Sequence, residues 1–572
     1  MSQLKKRICT ALQSGLDSLK RRHPARGRKP VWLNAYDKGV PERIDIPDFS
    51  LVDLWFNSVN EAPANCAISY FGKPFTYKYI HQLMLRFARG MKESGVQQGD
   101  RVALILPNIP QYIISYWAAL YIGATVVPIN PLLSEREFKY QLLSIDPAMI
   151  VVLDRIFPRL ERYVDTLQNT VVVIACLETY LPAFLKIAVH FKNRLDKTRN
   201  RIQKHRNIVF YRQILRRHPC GDMSESEPDD TAILLFTGGV TGTSKCAELS
   251  HRNLLANVIQ AHAWITDMRD GEEVILACLP LVHSYGQMAC HLLSVYTRAK
   301  MVLDPRFNAK RVIKLIQKHR ITLFPGVPTM FAAMVGENSQ KQNSFTSLRA
   351  CISGGAPLDE GLKKEFEESF GTKLVEGYGL SEASPITHCN PIRGCNKPSS
   401  IGIPWPDTLA RVVDMESEEE KAAGEIGELW VKGPQVMKRY WQNVQESKAA
   451  FRDGWLRTGD LAKVDSEGYF YIVSRYKDLI ISGGYNIYPS EIEQVLLRHP
   501  DIHDACAVGV DDSFWGQVVK AVVVLEKESS LSCLEIIAFC KHELADYKVP
   551  KIIEFVQVIP KNLLGKPLRR EL

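Results

Sequence analysis

Residues 102–134 carry no charged side chain, and 112–129 within that run is largely apolar. Such a run must leave water, either as a membrane span or inside a folded core. A span needs about 20 apolar residues in one continuous helix. Pro107, Pro110, Pro128 and Pro131 interrupt this one, and a proline inside a helix removes a hydrogen bond and clashes with the preceding turn. The run therefore reads as a buried strand at 101–106, a helix at 109–122 and a second buried strand at 124–128. Strands so continuously apolar are covered on both faces, which is the habit of parallel sheets flanked by helices. The fold class that follows is α/β.

The same alternation continues along the chain. Apolar strand-like runs at 232–236, 274–279 and 350–353 are separated by helical stretches, which argues for α/β architecture from 231 to about 475. Beyond 475 the pattern predicts a small α+β module. Its parts are a strand at 478–481, a Gly pair, a helix at 490–499, strands at 505–510 and 518–526, a helix at 533–544 and a last strand at 552–556. At 572 residues the chain is too long for one ordinary domain. The expected division is a leader at 1–30, a large multi-subdomain N-terminal domain at 31–476 and a small C-terminal domain at 477–572. No internal repeat is evident.

Composition excludes several classes. Hydrophobic residues are 46% and charged residues 24%, unlike a disordered or collagenous chain. The 13 Cys include no C-x-x-C pair, so reduced thiols are expected rather than a disulfide framework or zinc site. The N-terminus lacks an apolar h-region, which argues against a secretory signal; its Arg content is compatible with a transit peptide.

The net charge is +9, and its placement matters. Residues 1–30 hold nine Lys/Arg and one acid, net +8, and residues 186–217 hold eleven and one, net +10. Removing both from the total leaves a body of −9. Each basic stretch has apolar residues at near-helical spacing: Leu4, Ile8, Leu12, Leu16 and Leu19 in the first, and Leu181, Phe184, Leu185, Ala188 and Phe191 beside the second. No nucleic-acid recognition fold is apparent. The expectation is a cytoplasmic protein bound peripherally to an anionic membrane face through 1–30 and 180–217, against the plainer reading of solvated charge runs.

The most informative local stretch is Thr237-Gly238-Gly239-Val240-Thr241-Gly242-Thr243-Ser244-Lys245, after the apolar run 233–236. Small residues let backbone approach a phosphate, hydroxyls donate to its oxygens and Lys neutralises its charge. A Walker A loop it is not, because Lys245 lies three residues after Gly242. On local content alone a flexible turn remains open beside phosphate binding.

This loop, with His251-Arg252-Asn253 behind it, resembles the phosphate loop of the adenylate-forming (AMP-binding) superfamily, and further motifs of that superfamily follow in order. Gly354-Gly355-Ala356-Pro357-Leu358 resembles its turn beside the adenine and acyl pocket. Glu376-Gly377-Tyr378-Gly379-Leu380-Ser381-Glu382 resembles the Y-G-x-T-E motif, and Gly454-Trp455-Leu456-Arg457-Thr458-Gly459-Asp460 the ribose-binding motif. Arg475-Tyr476-Lys477-Asp478 resembles the inter-domain hinge, with the Gly483-Gly484 loop after it, and Pro560 with Gly565-Lys566 the C-terminal signature. Lys29-Pro30-Val31-Trp32-Leu33-Asn34 and Lys432-Gly433-Pro434-Gln435-Val436-Met437 resemble the bacterial-type long-chain fatty acyl-CoA synthetases in particular.

The resemblance implies an enzyme, a long-chain fatty acid–CoA ligase that uses ATP, Mg²⁺ and CoA and releases AMP and pyrophosphate. It implies catalytic roles for Lys566 and Glu382, with Glu382 also the Mg²⁺ ligand. Thr237, Gly238, Gly239, Thr241, Gly242, Lys245 and Ser381 would bind the ATP phosphates. Gly355, Ala356, Pro357, Gly377, Tyr378, Gly379, Asp460 and Arg475 would bind adenine and ribose. His283 and Gly354 would line the acyl pocket, a satisfied core histidine being the plainer reading of His283. The C-terminal domain would be mobile, with Lys477 the pivot, and Gly483 and Gly484 would help form the CoA channel. Homodimers occur in the family.

The sequence departs from the family pattern at Val240, which loses a hydroxyl, and at Cys246, where a Cβ is costly if the position needs positive φ. Ser474 and Tyr476 also differ at the hinge. Two alternatives stand beside the main reading: a fatty acyl-AMP ligase that hands the acyl group to a carrier protein, and a degenerate membrane-associated fatty-acid-binding scaffold.

Overall fold

The structure is a computed structural model and describes residues 29–572, apart from 165, 168, 196–206, 222, 238–243, 339–344, 483–484, 513, 528 and 563–564. The uncharged run folds as the proline pattern predicts. Strand Arg101–Ile105 and strand Thr125–Pro128 lie side by side and parallel, and helix Pro110–Tyr121 between them is buried at every position. A helix without a polar face has to sit inside a core, and this one starts on Pro110, where the missing N–H has no intrahelical partner to lose. Two of its polar side chains find partners inside: Tyr112 OH donates to Leu281 O at 2.8 Å and Trp117 Nε1 to His291 Nε2 at 2.8 Å. Trp117 also stacks on Trp55, ring centroids 5.0 Å apart. Each such aromatic taken out of water contributes about 1.5–3 kcal/mol.

Among the described residues the N-terminal part is built on three sheets. The eight-stranded sheet is parallel from Thr231–Phe236 through Thr125–Pro128, Arg101–Ile105, Met149–Leu153 and Val171–Ala175 to Ile208–Phe210. Cys246–Ser250 and Arg439–Tyr440 extend its other side antiparallel. The nine-stranded sheet carries Val274–Ala277, Leu323–Gly326, Ala350–Ser353 and Leu374–Gly379 parallel at its centre. A five-stranded antiparallel sheet includes Gly427–Lys432, Trp455–Val464 and Phe470–Arg475. Ligands of open parallel sheets gather beyond the carboxyl ends of the strands. Thr237, Gly354 and Thr329 all lie just past such ends.

The C-terminal part has its own sheet and core. Ile480–Ser482, Tyr485–Ile487, Ile502–Asp512, Gly516–Leu525 and Ile552–Phe555 form the sheet, and helices Pro489–Leu496 and Cys533–Glu543 bury Ile492, Leu496, Ile536 and Cys540 against it. The expected strand at 478–481 begins two residues later, because Tyr476–Asp478 is a 3₁₀ turn. The helix expected from 490 starts at Pro489, again at the first helical position.

The second basic stretch begins with a helix, Ala183–Leu195. Leu181 is buried just before it, and Leu185 and Val189 pack against the core. Phe184 and Ile187 point outward, 69% and 60% exposed. The predicted apolar face is thus split, part to the core and part to the surface. Residues 1–28 and 196–206 lie outside the described residues.

Candidate active site

Five segments distant in sequence converge on one site. The first is the hairpin of Thr231–Phe236 and Cys246–Ser250, closed where Thr237 N donates to Lys245 O at 2.8 Å. Gly238, Gly239, Val240, Thr241 and Gly242, expected at its tip, lie outside the described residues. Cys246 is the first residue of an antiparallel strand, opposite Phe236, and is not among the positive-φ residues. Its Cβ therefore carries no backbone strain, and its side chain is buried in a core cluster with Leu234. Lys245 reaches across to Glu446, with which it is ion-paired, and its Nζ lies 4.9 Å over the Tyr440 ring.

The second and third segments follow two neighbouring parallel strands. After Ala350–Ser353 come Gly354, Gly355, Ala356 and Pro357. A Cβ on Gly354 would meet the Tyr285 ring at 3.1 Å, and Gly355 has φ +83°. Strand Leu374–Gly379 carries Gly377, Tyr378 and Gly379. At Gly379 a Cβ would lie 2.2 Å from Pro385 O, a backbone atom that cannot yield, so only glycine fits. The chain then turns through Ser381–Ala383. Ser381 Oγ lies 3.3 Å from Ser284 Oγ. Glu382 Oε1 accepts from Tyr440 OH at 2.8 Å, and Glu382 O accepts from Met437 N at 2.7 Å. Burial raises the Glu382 carboxyl above its usual range, opposed first by the Tyr440 hydrogen bond.

The fourth segment is the turn Thr458-Gly459-Asp460. Buried Glu428 shapes it, accepting from Gly459 N at 3.1 Å while Arg457 Nε donates to its other oxygen at 2.9 Å. Asp460 is 6% exposed. Its Oδ2 accepts from Tyr378 OH at 2.5 Å, and its Oδ1 lies 3.1 Å from Arg475 Nε, the residue opposite it in the sheet. Burial works against the Arg475 charge, and Asp460 with its neighbours outweighs that and holds its pKa up.

The fifth segment comes from the C-terminal part. Asn562 N donates to Lys566 O at 2.8 Å and Lys566 N to Asn562 Oδ1 at 3.0 Å, closing a small loop. That loop lies against the N-terminal part: a Cβ on Gly565 would stand 2.8 Å from Thr329 Cγ2. Burial, then the nearby Arg475, pushes the Lys566 ammonium down to about 8, and Asp460 and Asp478 pull it back up. Lys566 therefore shares the electrostatic neighbourhood of Asp460 and Arg475. Lys477 is exposed on the 3₁₀ turn between the two parts. Gly483 and Gly484 lie outside the described residues.

His283 has a structural part. Its Nδ1 accepts from Tyr285 N at 3.3 Å at a helix start, and burial lowers its pKa to about 4, so the ring is neutral near pH 7. Sequence reasoning missed Tyr440, Glu446 and Glu428, none of which falls within a motif read for it. It also missed Arg569, which pairs with Glu493 at 2.7 Å and approaches Asp478 at 3.5 Å, tying the Tyr476–Asp478 turn to the C-terminal part.

The carboxylate of Glu382 fits a hard divalent cation. It is an oxygen donor raised by burial, so an added positive charge would favour its ionised form. The arrangement gathers two carboxylates, two lysines and an arginine around a space bounded by glycine-rich turns. Chemically it can hold a polyanion with a planar, hydroxyl-bearing group and bring a second anion up to it.

Comparison with known proteins agrees in extent and order. The family described as AMP-binding enzyme matches residues 55–441, and the AMP-binding enzyme C-terminal domain matches residues 491–566. A long-chain-fatty-acid–CoA ligase of Bacillus subtilis (strain 168) is 41% identical over 548 residues, covering 95% of this chain and 98% of that protein. The crystal structure of ATP-bound MatB from Rhodopseudomonas palustris superposes with TM-score 0.80 at 27% identity, over 91% of this chain and 98% of that one. The o-succinylbenzoate CoA synthetase (MenE) of Bacillus subtilis, in complex with its acyl-adenylate intermediate OSB-AMP, superposes with TM-score 0.74 at 26% identity, over 91% and 97%.

Proposed function

The chain belongs to the AMP-binding enzyme family, and from that premise we propose that it joins a long-chain fatty acid to CoA, using ATP and passing through acyl-AMP. The observation that carries the reading is the convergence of Tyr378, Asp460 and Arg475 with Glu382, Lys245 and Lys566 on one site. A carboxylate does not react with a thiol, because its leaving group would be oxide. Transfer of AMP makes a mixed anhydride with a good leaving group. That step drives an anionic carboxylate onto an anionic α-phosphate, so catalysis is chiefly charge neutralisation and alignment.

The residues divide that work. Asp460 accepts from the ribose hydroxyls with Arg475 holding it in place, and Tyr378 lies against the adenine. Lys245, Thr237 and the glycine loop take the β- and γ-phosphates, and Ser381 serves the α-phosphate. Mg²⁺ held by Glu382 would supply charge neutralisation on the phosphates. Lys566, a compact point charge, bridges the fatty acid carboxylate and the α-phosphate. Pyrophosphate leaves. The C-terminal part, residues 477–572, then pivots about Lys477, removing Lys566 and bringing the Gly483-Gly484 loop to the site. The CoA thiol attacks the acyl carbonyl, and AMP departs. One small site cannot present both sets of groups at once, which is the reason for the pivot.

The test is a reconstitution with ATP, Mg²⁺ and fatty acids of graded length, with and without CoA. The expected result is fatty-acid-dependent pyrophosphate release, with AMP and acyl-CoA formed in equal amounts when CoA is present. Pyrophosphate release without CoA consumption would replace the CoA ligase by a ligase serving a carrier protein. No pyrophosphate with any acid would leave a binding scaffold.

We further propose that the protein works peripherally on an anionic, cytoplasmic membrane face, where its acid substrate partitions. No helix among the described residues is long and apolar enough to cross a membrane. In support, outward Phe184 and Ile187 flank Lys186 at the start of the basic stretch. Each basic residue near such a surface contributes about 1 kcal/mol. Flotation with vesicles should therefore fall with rising salt, with neutral lipid, and with the double substitution Phe184→Ser and Ile187→Ser. Flotation indifferent to all three would refute membrane binding by these stretches.

A further inference from the structure

Glu446 has no part in the reaction as described, yet it holds the phosphate-loop lysine. It lies in the first turn of helix Val444–Ala450, where Asn443 caps the helix and accepts from Glu446 N at 3.1 Å. Ser447, the next residue, accepts from Tyr440 N at 3.0 Å. The turn that presents Glu446 is thus fastened to the strand that presents Tyr440. Tyr440 in turn donates to Glu382 and lies under Lys245 Nζ. Lys245 is mostly buried and Glu446 half-exposed. The carboxylate sits below its usual range because Lys245 hydrogen-bonds it, with a smaller contribution from Lys477 at the pivot.

We propose that Glu446 is a counter-ion built into the ATP site: it holds Lys245 when no nucleotide is bound and gives it up to the ATP phosphates. The proposal rests on the reading of this site as an ATP site. A triphosphate carries several negative charges against one on Glu446, so the nucleotide wins Lys245, and its affinity is reduced by the competition. The displaced carboxylate would repel the phosphates if it stayed in place. Lys477, whose charge it already feels, gives it a second cation to face. Once pyrophosphate leaves, Lys245 returns to Glu446. The pair thus makes the site readier to release its product as well as slower to fill.

The experiment is calorimetric titration of the full-length protein with a non-hydrolysable ATP analogue and Mg²⁺. Glu446→Gln keeps the shape and removes the charge. It should bind the analogue about fivefold more tightly at low salt, the upper size expected for a half-exposed ion pair. The gain should shrink as salt rises. In a Lys245→Met background the same substitution should give no gain. Steady-state kinetics supply the second measurement: KM for ATP should fall while KM for the fatty acid does not move, whereas a general loosening of the site would shift both. Unchanged or weaker binding by Glu446→Gln would overturn the proposal, as would a gain that persists without Lys245. If the unaltered protein binds no analogue at all, the ATP-site reading fails instead.

Discussion

Replacing Lys566 by Ala should slow acyl-adenylate formation about 10²- to 10³-fold, the usual cost of removing one preorganised charge from a transition state. Transfer from supplied acyl-AMP to CoA should change by no more than a few-fold. On the proposed two-step reading the half-reactions separate because Lys566 comes from the C-terminal part, on a loop that touches Thr329 in this arrangement and would leave as that part pivots. The lysine also carries a pH signature. Burial and Arg475 lower its pKa to about 8, so it is mostly charged at pH 7 and loses its proton as pH rises through 8. Dependence of kcat/KM for ATP on pH reports the free enzyme, and its alkaline limb should therefore fall near pH 8. Bound triphosphate favours the charged form, so the limb in kcat should lie at higher pH. Lys566→Arg, which keeps the charge but spreads it over a planar fork, should retain part of the adenylation rate and lose the limb near pH 8. Equal loss in both half-reactions for Lys566→Ala, or an alkaline limb that survives Lys566→Arg, would remove the assignment.

Much of the architecture was legible because buried parallel strands are continuous apolar runs and their ends carry proline or glycine. Arg101–Ile105, Thr125–Pro128 and Ala350–Ser353 sit within a residue or so of where those signals put them. Gly379 was legible as a motif residue, and the structure adds its reason, a backbone oxygen where a Cβ would go. Boundaries moved where a turn competed with a strand, as at Tyr476–Asp478. The contacts that assemble the site were not legible. Tyr440 meets Glu382 across 58 residues and Glu446 meets Lys245 across 201. A tyrosine or a glutamate at such a position has no local pattern to mark it, since its partner is chosen by how sheets stack. Cys246 shows the reverse. Its Cβ would be costly only at positive φ, which local sequence does not reveal, and in this chain the residue is ordinary strand.

Asp460→Asn should weaken ATP binding about 10²-fold and destabilise the fold by about 2 kcal/mol, and the two losses have different causes. Binding falls because a neutral amide accepts less strongly from the ribose hydroxyls; bonds to a charged partner contribute about 1.5–3 kcal/mol. Stability falls because Arg475, whose side chain is 37% exposed, loses the carboxylate 3.1 Å away. Breaking a buried pair from one side costs about 3–5 kcal/mol, since the remaining charge stays out of water. The cost here falls below that range because Arg475 keeps part of its solvent and because Asp478 and Glu382 also act on it. Tyr378→Phe supplies the control. It removes the hydroxyl that donates to Asp460 at 2.5 Å and leaves the ion pair, so its effect on stability should be about 1.5 kcal/mol, the low end for a hydrogen bond to a charged group. The two causes separate in the double variant Asp460→Asn, Arg475→Met. With neither charge left, urea unfolding should recover most of the lost stability, while ATP binding should stay weak or weaken further. Recovery of ATP affinity alongside stability would mean that Asp460 acts only by holding Arg475, and the ribose assignment would pass to another residue. Unchanged affinity in Asp460→Asn itself would remove the nucleotide from this end of the site altogether.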